Sequence, residues 1–270
     1  YKINIKIQLF MVMILCVYGG VKLLQNGASY YLYCATLLVI AVAFGAVFVR
    51  WEQRHDNAMI HLDIFKNKLY TVSVFCAFIS FLAISGHNFI QPFYLQKVQM
   101  LSAAQTGMLM MAYSITMFVV APFSGQLSDK IGSEILCFIG LCTVSVALFV
   151  LSTLGIGSPL WIFLIGSIMM SFGMAMFQSP NTSLIMSTVG PKLTGIAGSI
   201  NGLARNLGSV FGISLSTVLL YNIMSSQLGF NVTDFVEGQE LAFVTGMQWV
   251  YRFMAVVSLI GAVLTGLRWQ

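Results

Sequence analysis

The stretch ILCFIGLCTVSVALFVLSTLGIGSPLWIFLIGSIMMSFGMAMFQSPNTSLIMSTVGP, residues 135–191, lies between Glu134 and Lys192 and contains no Asp, Glu, Lys or Arg. A helix needs about 20 mostly apolar residues to cross a hydrocarbon core of roughly 30 Å. The stretch is therefore long enough for two crossings, over 134–154 and 159–179. Charge-free gaps of the same kind run from Lys22 to Arg50, Lys68 to Lys97, Lys97 to Asp129 and Arg205 to Asp234. The remaining spans are expected over 7–25, 29–49, 69–90, 105–124, 194–223 and 244–267. All are apolar around the whole circumference, as helices in lipid or in a bundle interior must be. The alternating polarity of barrel strands is absent. The expected fold is an all-α polytopic membrane protein with about eight transmembrane helices.

Composition agrees. Of the 270 residues, 58% are hydrophobic and 8% are charged, with 13 Lys+Arg against 8 Asp+Glu. Average proteins carry roughly a quarter charged residues, so a soluble globular domain is excluded. Disordered, collagen-like and disulfide-framework chains are excluded with it. Cys16, Cys34, Cys76, Cys137 and Cys142 all lie in apolar stretches and form no CxxC pair, which reads as buried thiols rather than bridges or zinc ligands. No metal or cofactor site is expected. The net charge of +5 is no sign of nucleic-acid binding and is to be mapped onto the two sides of a bilayer.

With a cytoplasmic N-terminus, the inner loops hold Lys2, Lys6, Arg50, Arg54, Lys66, Lys68, Lys130, Lys192 and Arg268, and the outer loops only Lys22 and Lys97. That asymmetry orients the chain in a cell membrane, with the 50–68 loop and the Asp129 loop cytoplasmic. The 50–68 loop begins polar and turns amphipathic; Ile60, Leu62, Ile64 and Phe65 are expected on the membrane surface. It divides the chain into 1–60, a helix pair with a cytoplasmic linker, and 61–270, a six-helix unit. The chain starts at Tyr1 and its beginning reads as internal, so a fragment or one half of something longer is expected.

The sharpest local signal is GQLSDKIG, residues 125–132. Gly125 and Gly132 allow a tight reversal, and Asp129 with Lys130 places one acid and one base between two helices, Asp129 just before the second of them. The pattern G-x-L-x-D-[KR]-x-G resembles the cytoplasmic loop signature of the major facilitator superfamily, here in its second copy. Further residues carry the resemblance: LDIFKNK at 62–68, QPFYLQKV at 91–98 followed by Ala104 and Gly107, and Pro180-Asn181 followed by Gly195, Ala197, Ser199, Ile200, Arg205, Asn206, Leu207 and Gly208. Together these are similar to the fourteen-helix drug:proton antiporter branch, in which two extra helices separate two six-helix halves. The resemblance implies a major-facilitator-type helix bundle, with 1–60 as the central pair and its cytoplasmic linker and 61–270 as the C-terminal half. The chain departs from the family where Ser133 and Glu134 follow the loop in place of bases. Apart from Glu134 at the very start of the span 134–154, no Asp or Glu is expected within a span. An intramembrane acid is the usual mark of a proton relay, so the proton-carrying machinery is expected outside these residues.

Several residues are candidates for a role. Asp129 and Lys130 read either as a gating latch or as a solvated turn. Arg205, within GSINGLARNLGSVFG, reads as a packing or gating residue or as a snorkelling side chain near the inner helix end. Gly198-x-x-x-Gly202 and Gly208-x-x-x-Gly212 permit close helix approach, and such a surface can also slide. His87, Asn88 and Gln91 form a polar cluster at the outer end of one span, before Pro92; with Asn201 and Asn206 they are candidates to line a substrate cavity. Cavity-side polar groups are expected from the spans 69–90, 105–124, 159–179 and 194–223. Gln178, Ser179, Pro180 and Asn181 read as the end of the span 159–179, with Pro180 terminating it. Arg252 with Gln248 and Trp249 reads as an outer interfacial anchor. Met110, Met111, Met117, Met169, Met170, Met174 and Met176 are numerous enough to suggest an adaptable apolar cavity.

The leading function implied by the resemblance is secondary active, proton-coupled efflux of amphipathic compounds by alternating access, in a bilayer and with an N-terminal six-helix half as partner. The alternative is a truncated or half-size membrane protein that does not transport alone. A membrane enzyme is disfavoured because neither HExxH nor GxSxG occurs; a channel is disfavoured because no filter or charged pore stretch occurs.

Overall fold

The structure, a computed structural model, describes residues 62–267 apart from Lys192 and the side chains of Leu62 and Asp63. The spans expected over 7–25 and 29–49, and with them the 1–60 region, lie outside these residues, as do Lys2, Lys6, Lys22, Arg50, Arg54, Ile60 and Arg268. A short 3-10 turn, Leu62–Lys66, leads into six helices among the described residues: α1 Lys68–Phe93, α2 Ala103–Ile131, α3 Ser133–Leu151, α4 Leu160–Ser187, α5 Thr194–Leu228 and α6 Glu240–Gly266. Each is long and apolar enough to cross a membrane. In lipid the backbone must satisfy its own hydrogen bonds, and a helix does so within one segment.

The ends follow local chemistry. Asn67 caps α1, its side chain accepting from the N–H groups of Leu69 and Tyr70 at 3.0 and 3.4 Å. Ser102 and Gln105 form a capping box at the start of α2. Gly132, at φ 94°, separates α2 from α3, and Gly229, at φ 76°, ends α5; a side chain at either would be strained. Beyond Pro92, α1 continues into a π-helical turn, Tyr94–Val98.

Pro180 does not end α4, as expected from the sequence; it lies inside a helix that runs on to Ser187. A proline removes one N–H and leaves the rest of the helix intact, which a packed helix tolerates. Ile64 is buried rather than lying on the membrane surface: it packs with Tyr70, Val74, Ile185 and Ala197. Phe65 is exposed and meets Tyr70 edge-on, ring centroids 5.5 Å apart.

Neighbours in the bundle run in the order α2, α4, α3, α6, α1, α5. The core between them is lined by Tyr94, Leu148, Phe163, Met174, Phe243, Tyr251 and Met254, all almost fully buried. Met170, Met174 and Met176 are thus core residues, Met110, Met117 and Met169 pack partly against the core, and Met111 is exposed. Cys76 and Cys137 are buried free thiols and Cys142 is half-buried; Cys16 and Cys34 lie outside the described residues. The helix α2 is the most open, with only Thr106, Ser124 and Ser128 buried along its length.

Candidate functional site

A close backbone contact joins α1 to α5. A Cβ on Gly208 would meet the carbonyl oxygen of Phe78, one on Gly212 the carbonyl oxygen of Leu82, and one on Gly86 the Oγ of Ser216. In each pair the α5 residue follows its α1 partner by 130 positions. A constant offset over successive turns means parallel helices in fixed register, close enough that only the absence of side chains admits the opposing backbone. The two glycine pairs expected from the sequence therefore separate. Gly208 and Gly212 build this seam. A methyl on Gly202 would meet no atom within 4 Å, and one on Gly198 would meet only the Met186 side chain. Ser216 extends the seam by a further turn; its small side chain four residues after Gly212 is the signal in the sequence.

Arg205 stands one turn before Gly208 on the same helix. Its guanidinium lies over the Phe81 ring, 5.0 Å from the centroid, and its Nε is enclosed with no hydrogen-bond acceptor. Asn201, a further turn back, is buried with its Oδ1 unpartnered. Asn206 is exposed. Phe75 and Phe78 stack at 6.2 Å, and Phe211 of α5 meets Phe78 edge-on at 6.0 Å.

His87 does not face outer water. It is fully buried between α1, α4 and α6, with its Nδ1 3.1 Å from the Tyr251 hydroxyl and its ring stacked 6.3 Å from Phe163. Gln91 is buried and donates to Asn88 Oδ1 at 3.3 Å, while Asn88 itself is exposed. The three residues thus share one helix without sharing one environment. One turn on, the Tyr94 hydroxyl donates to the Gly155 carbonyl at 3.0 Å, and Gln99 Nε2 donates to Tyr94 Oη and to the Ser158 carbonyl. Tyr94 lies in the QPFYLQKV stretch and Tyr251 in no motif, and only packing brings the two to this cluster.

Asp129 and Lys130 occupy the last turn of α2 rather than a free loop, and the connection to α3 is Gly132 alone. Both side chains are exposed, and Gly125 lies within α2, 3.3 Å from Ser179 Oγ if it carried a Cβ. The acid in the first turn of α3 is Glu134. Ser128 and Ser133 bridge the reversal, their hydroxyls 2.7 Å apart. Asn181 donates from Nδ2 to the Ser73 carbonyl at 3.1 Å and so ties α4 to α1. At α6, Arg252 lies over Trp249 at 5.3 Å and Gln248 donates to the Leu154 carbonyl at 2.9 Å.

These features define a multi-pass helical membrane protein whose helices meet through small residues and whose polar groups are few and mostly engaged. The sequence pattern of the Major Facilitator Superfamily matches residues 73–269, and the chain belongs to that family. Family members are transporters rather than enzymes. The riboflavin transporter RibZ of Clostridioides difficile is 28% identical over 79% of this chain and 46% of its own length. The lincomycin resistance protein LmrB of Listeria monocytogenes is 25% identical over 90% of this chain and 53% of its own length. The quinolone resistance protein NorB of Staphylococcus aureus is 25% identical over 83% of this chain and 46% of its own length. Similarity to drug-resistance proteins thus recurs among the relatives of this chain. The chain spans about half the length of the relatives it matches.

Proposed function

We propose that this chain is the C-terminal part of a secondary active transporter that exports amphipathic compounds by alternating access, driven by protons. Residues 1–60 would supply the central helix pair and linker, and 61–270 the C-terminal six-helix half. The observation that carries the reading is similarity, over most of the chain, to proteins named for resistance to lincomycin and quinolones and for riboflavin transport. A transporter of this kind binds its substrate between two repeats that rock about it. The open face of α2 is the surface a second half would cover. On this reading the α1–α5 seam is a rigid pair within one half, and Asp129 with Lys130 is a latch on the cytoplasmic side. The acids on the described helices, Asp129, Glu134 and Glu240, all stand in terminal turns. The proton-carrying acids accordingly belong to the N-terminal half.

The test is dye efflux from cells that express this chain alone or with a six-helix N-terminal half, with and without a proton uncoupler. Efflux only with both halves, abolished by the uncoupler, is expected. Efflux that resists the uncoupler overturns proton coupling. The coverage of about half of each relative favours a second reading, in which the chain does not transport alone. Efflux by the chain alone overturns that one.

A further inference from the structure

We propose that the open edge of the α1–α5 seam binds planar aromatic compounds that carry an anionic group, with Arg205 as the counter-charge and Phe75, Phe78, Phe81 and Phe211 as the wall. The proposal names a substrate class for the transport reading above and rests on that reading only for what binding is used for.

The charge is the first argument. Arg205 stands eleven residues after Thr194, the start of α5, and 23 before Leu228, its end. At 1.5 Å per residue it lies about 16 Å along a helix of about 52 Å, which is hydrocarbon depth. A cation there seldom lacks a counter-charge. None of the described acids forms an ion pair with it; Asp129, Glu134 and Glu240 stand at helix ends, and Asp234 and Glu237 in the loop after α5.

The second argument is direction. By the 130-residue offset of the seam, Arg205 is level with Phe75. Its guanidinium instead lies over Phe81, thirteen residues after Lys68 and twelve before Phe93, at the middle of α1. A snorkelling side chain would turn the other way, towards the nearer helix end. Here the charge is held inward by the face of an aromatic ring.

The third argument is the wall. Phe75 and Phe78 stack, Phe78 and Phe211 meet edge-on, and Phe81 carries the guanidinium. Phe75 is 50% exposed and Phe211 39%, so the row is open on one side. The Nε of Arg205 is enclosed, but its terminal nitrogens are not, and they make no hydrogen bond to any described residue. Two parallel N–H groups suit a carboxylate, and flat aromatic faces suit a flat aromatic body. A cationic compound of the same shape would meet an uncompensated like charge.

The experiment measures equilibrium binding of naphthalene-2-carboxylate and its uncharged isostere naphthalene-2-carboxamide to the complete protein in lipid nanodiscs, against empty nanodiscs. The acid is expected to bind about 10-fold more tightly than the amide, as for one charge-assisted contact. Arg205→Gln is expected to abolish that preference and leave amide binding unchanged, Arg205→Lys to keep part of it, and Phe81→Leu to weaken both ligands. Equal binding of acid and amide by the unaltered protein overturns the proposal. So does an Arg205→Gln protein that loses both ligands alike while eluting as a folded species. If Arg205→Gln does not fold, the acid-to-amide ratio of the unaltered protein and of Arg205→Lys decides. Dye efflux without acid preference removes the site and leaves transport standing. Acid preference without efflux does the reverse.

Discussion

The Nδ1 of His87 on α1 lies 3.1 Å from the hydroxyl of Tyr251 on α6, across 164 residues of sequence. Both side chains are buried, and Phe163 of α4 stacks on the imidazole, so one contact joins three helices. The Nε2 of His87 has no partner among the described residues. Neither group has another hydrogen-bond partner among the described residues.

Tyr251→Phe removes the hydroxyl and leaves both nitrogens of His87 unpartnered. An orphaned buried polar group costs about 1–3 kcal/mol. The substitution is expected to lower the unfolding free energy in detergent by that amount, and His87→Leu combined with Tyr251→Phe to cost less than the two single changes together. Additive losses would show that the two side chains do not act as a pair.

Gly208→Ala and Gly212→Ala drive a methyl into the backbone carbonyls of Phe78 and Leu82, which belong to a helix and cannot step aside. A loss of about 1–3 kcal/mol each is expected, as for overpacking. Gly202→Ala meets nothing within 4 Å and removes a helix-weakening glycine. It is expected to be neutral or to stabilise by up to about 1 kcal/mol. Thermal unfolding of the three variants side by side makes the comparison, and equal behaviour would mean that the seam is not close-packed.

Asp129 is exposed at the end of α2, so its charge can be changed without disturbing packing. Asp129→Asn is expected to shift stability by less than about 0.5 kcal/mol, as surface changes do, yet to slow substrate efflux several-fold by releasing the latch. Asp129→Glu is expected to restore most of the rate. Unaltered efflux in Asp129→Asn would reduce the residue to a solvated acid.

Sidedness is read by cysteine labelling. In a protein cleared of native cysteines, Lys130→Cys is expected to react with a membrane-impermeant maleimide only after permeabilisation, and Asn231→Cys, exposed in the loop after α5, in intact cells. The opposite pattern would invert the orientation drawn from the basic residues.

Much of the fold is legible in the sequence. The spans expected over 69–90, 105–124, 134–154, 159–179, 194–223 and 244–267 correspond to α1 to α6. The ends are less legible, because a helix can outrun the hydrocarbon core: α5 reaches Leu228, and α2 carries Asp129 and Lys130 in its last turn. Pro180 misleads for a related reason, since a proline inside a packed helix costs one hydrogen bond rather than the helix. Of the candidate residues, His87 reads as an interfacial side chain because its neighbours Asn88 and Gln91 are polar. Its burial depends on Phe163 and Tyr251, far away in sequence.

The difference has a physical origin. A bilayer acts on each segment separately, selecting length and apolarity and leaving bases on one side, so the crossings follow from the order of residues along the chain. Helix association has no such local driving force and rests on contact between surfaces. Two glycine pairs of identical spacing stand on α5, and nothing in their spelling tells Gly208 and Gly212, which lie against α1, from Gly202, where an added methyl would meet no atom within 4 Å. The register of 130 residues, the ring beneath Arg205 and the partner of His87 exist only once the helices have packed.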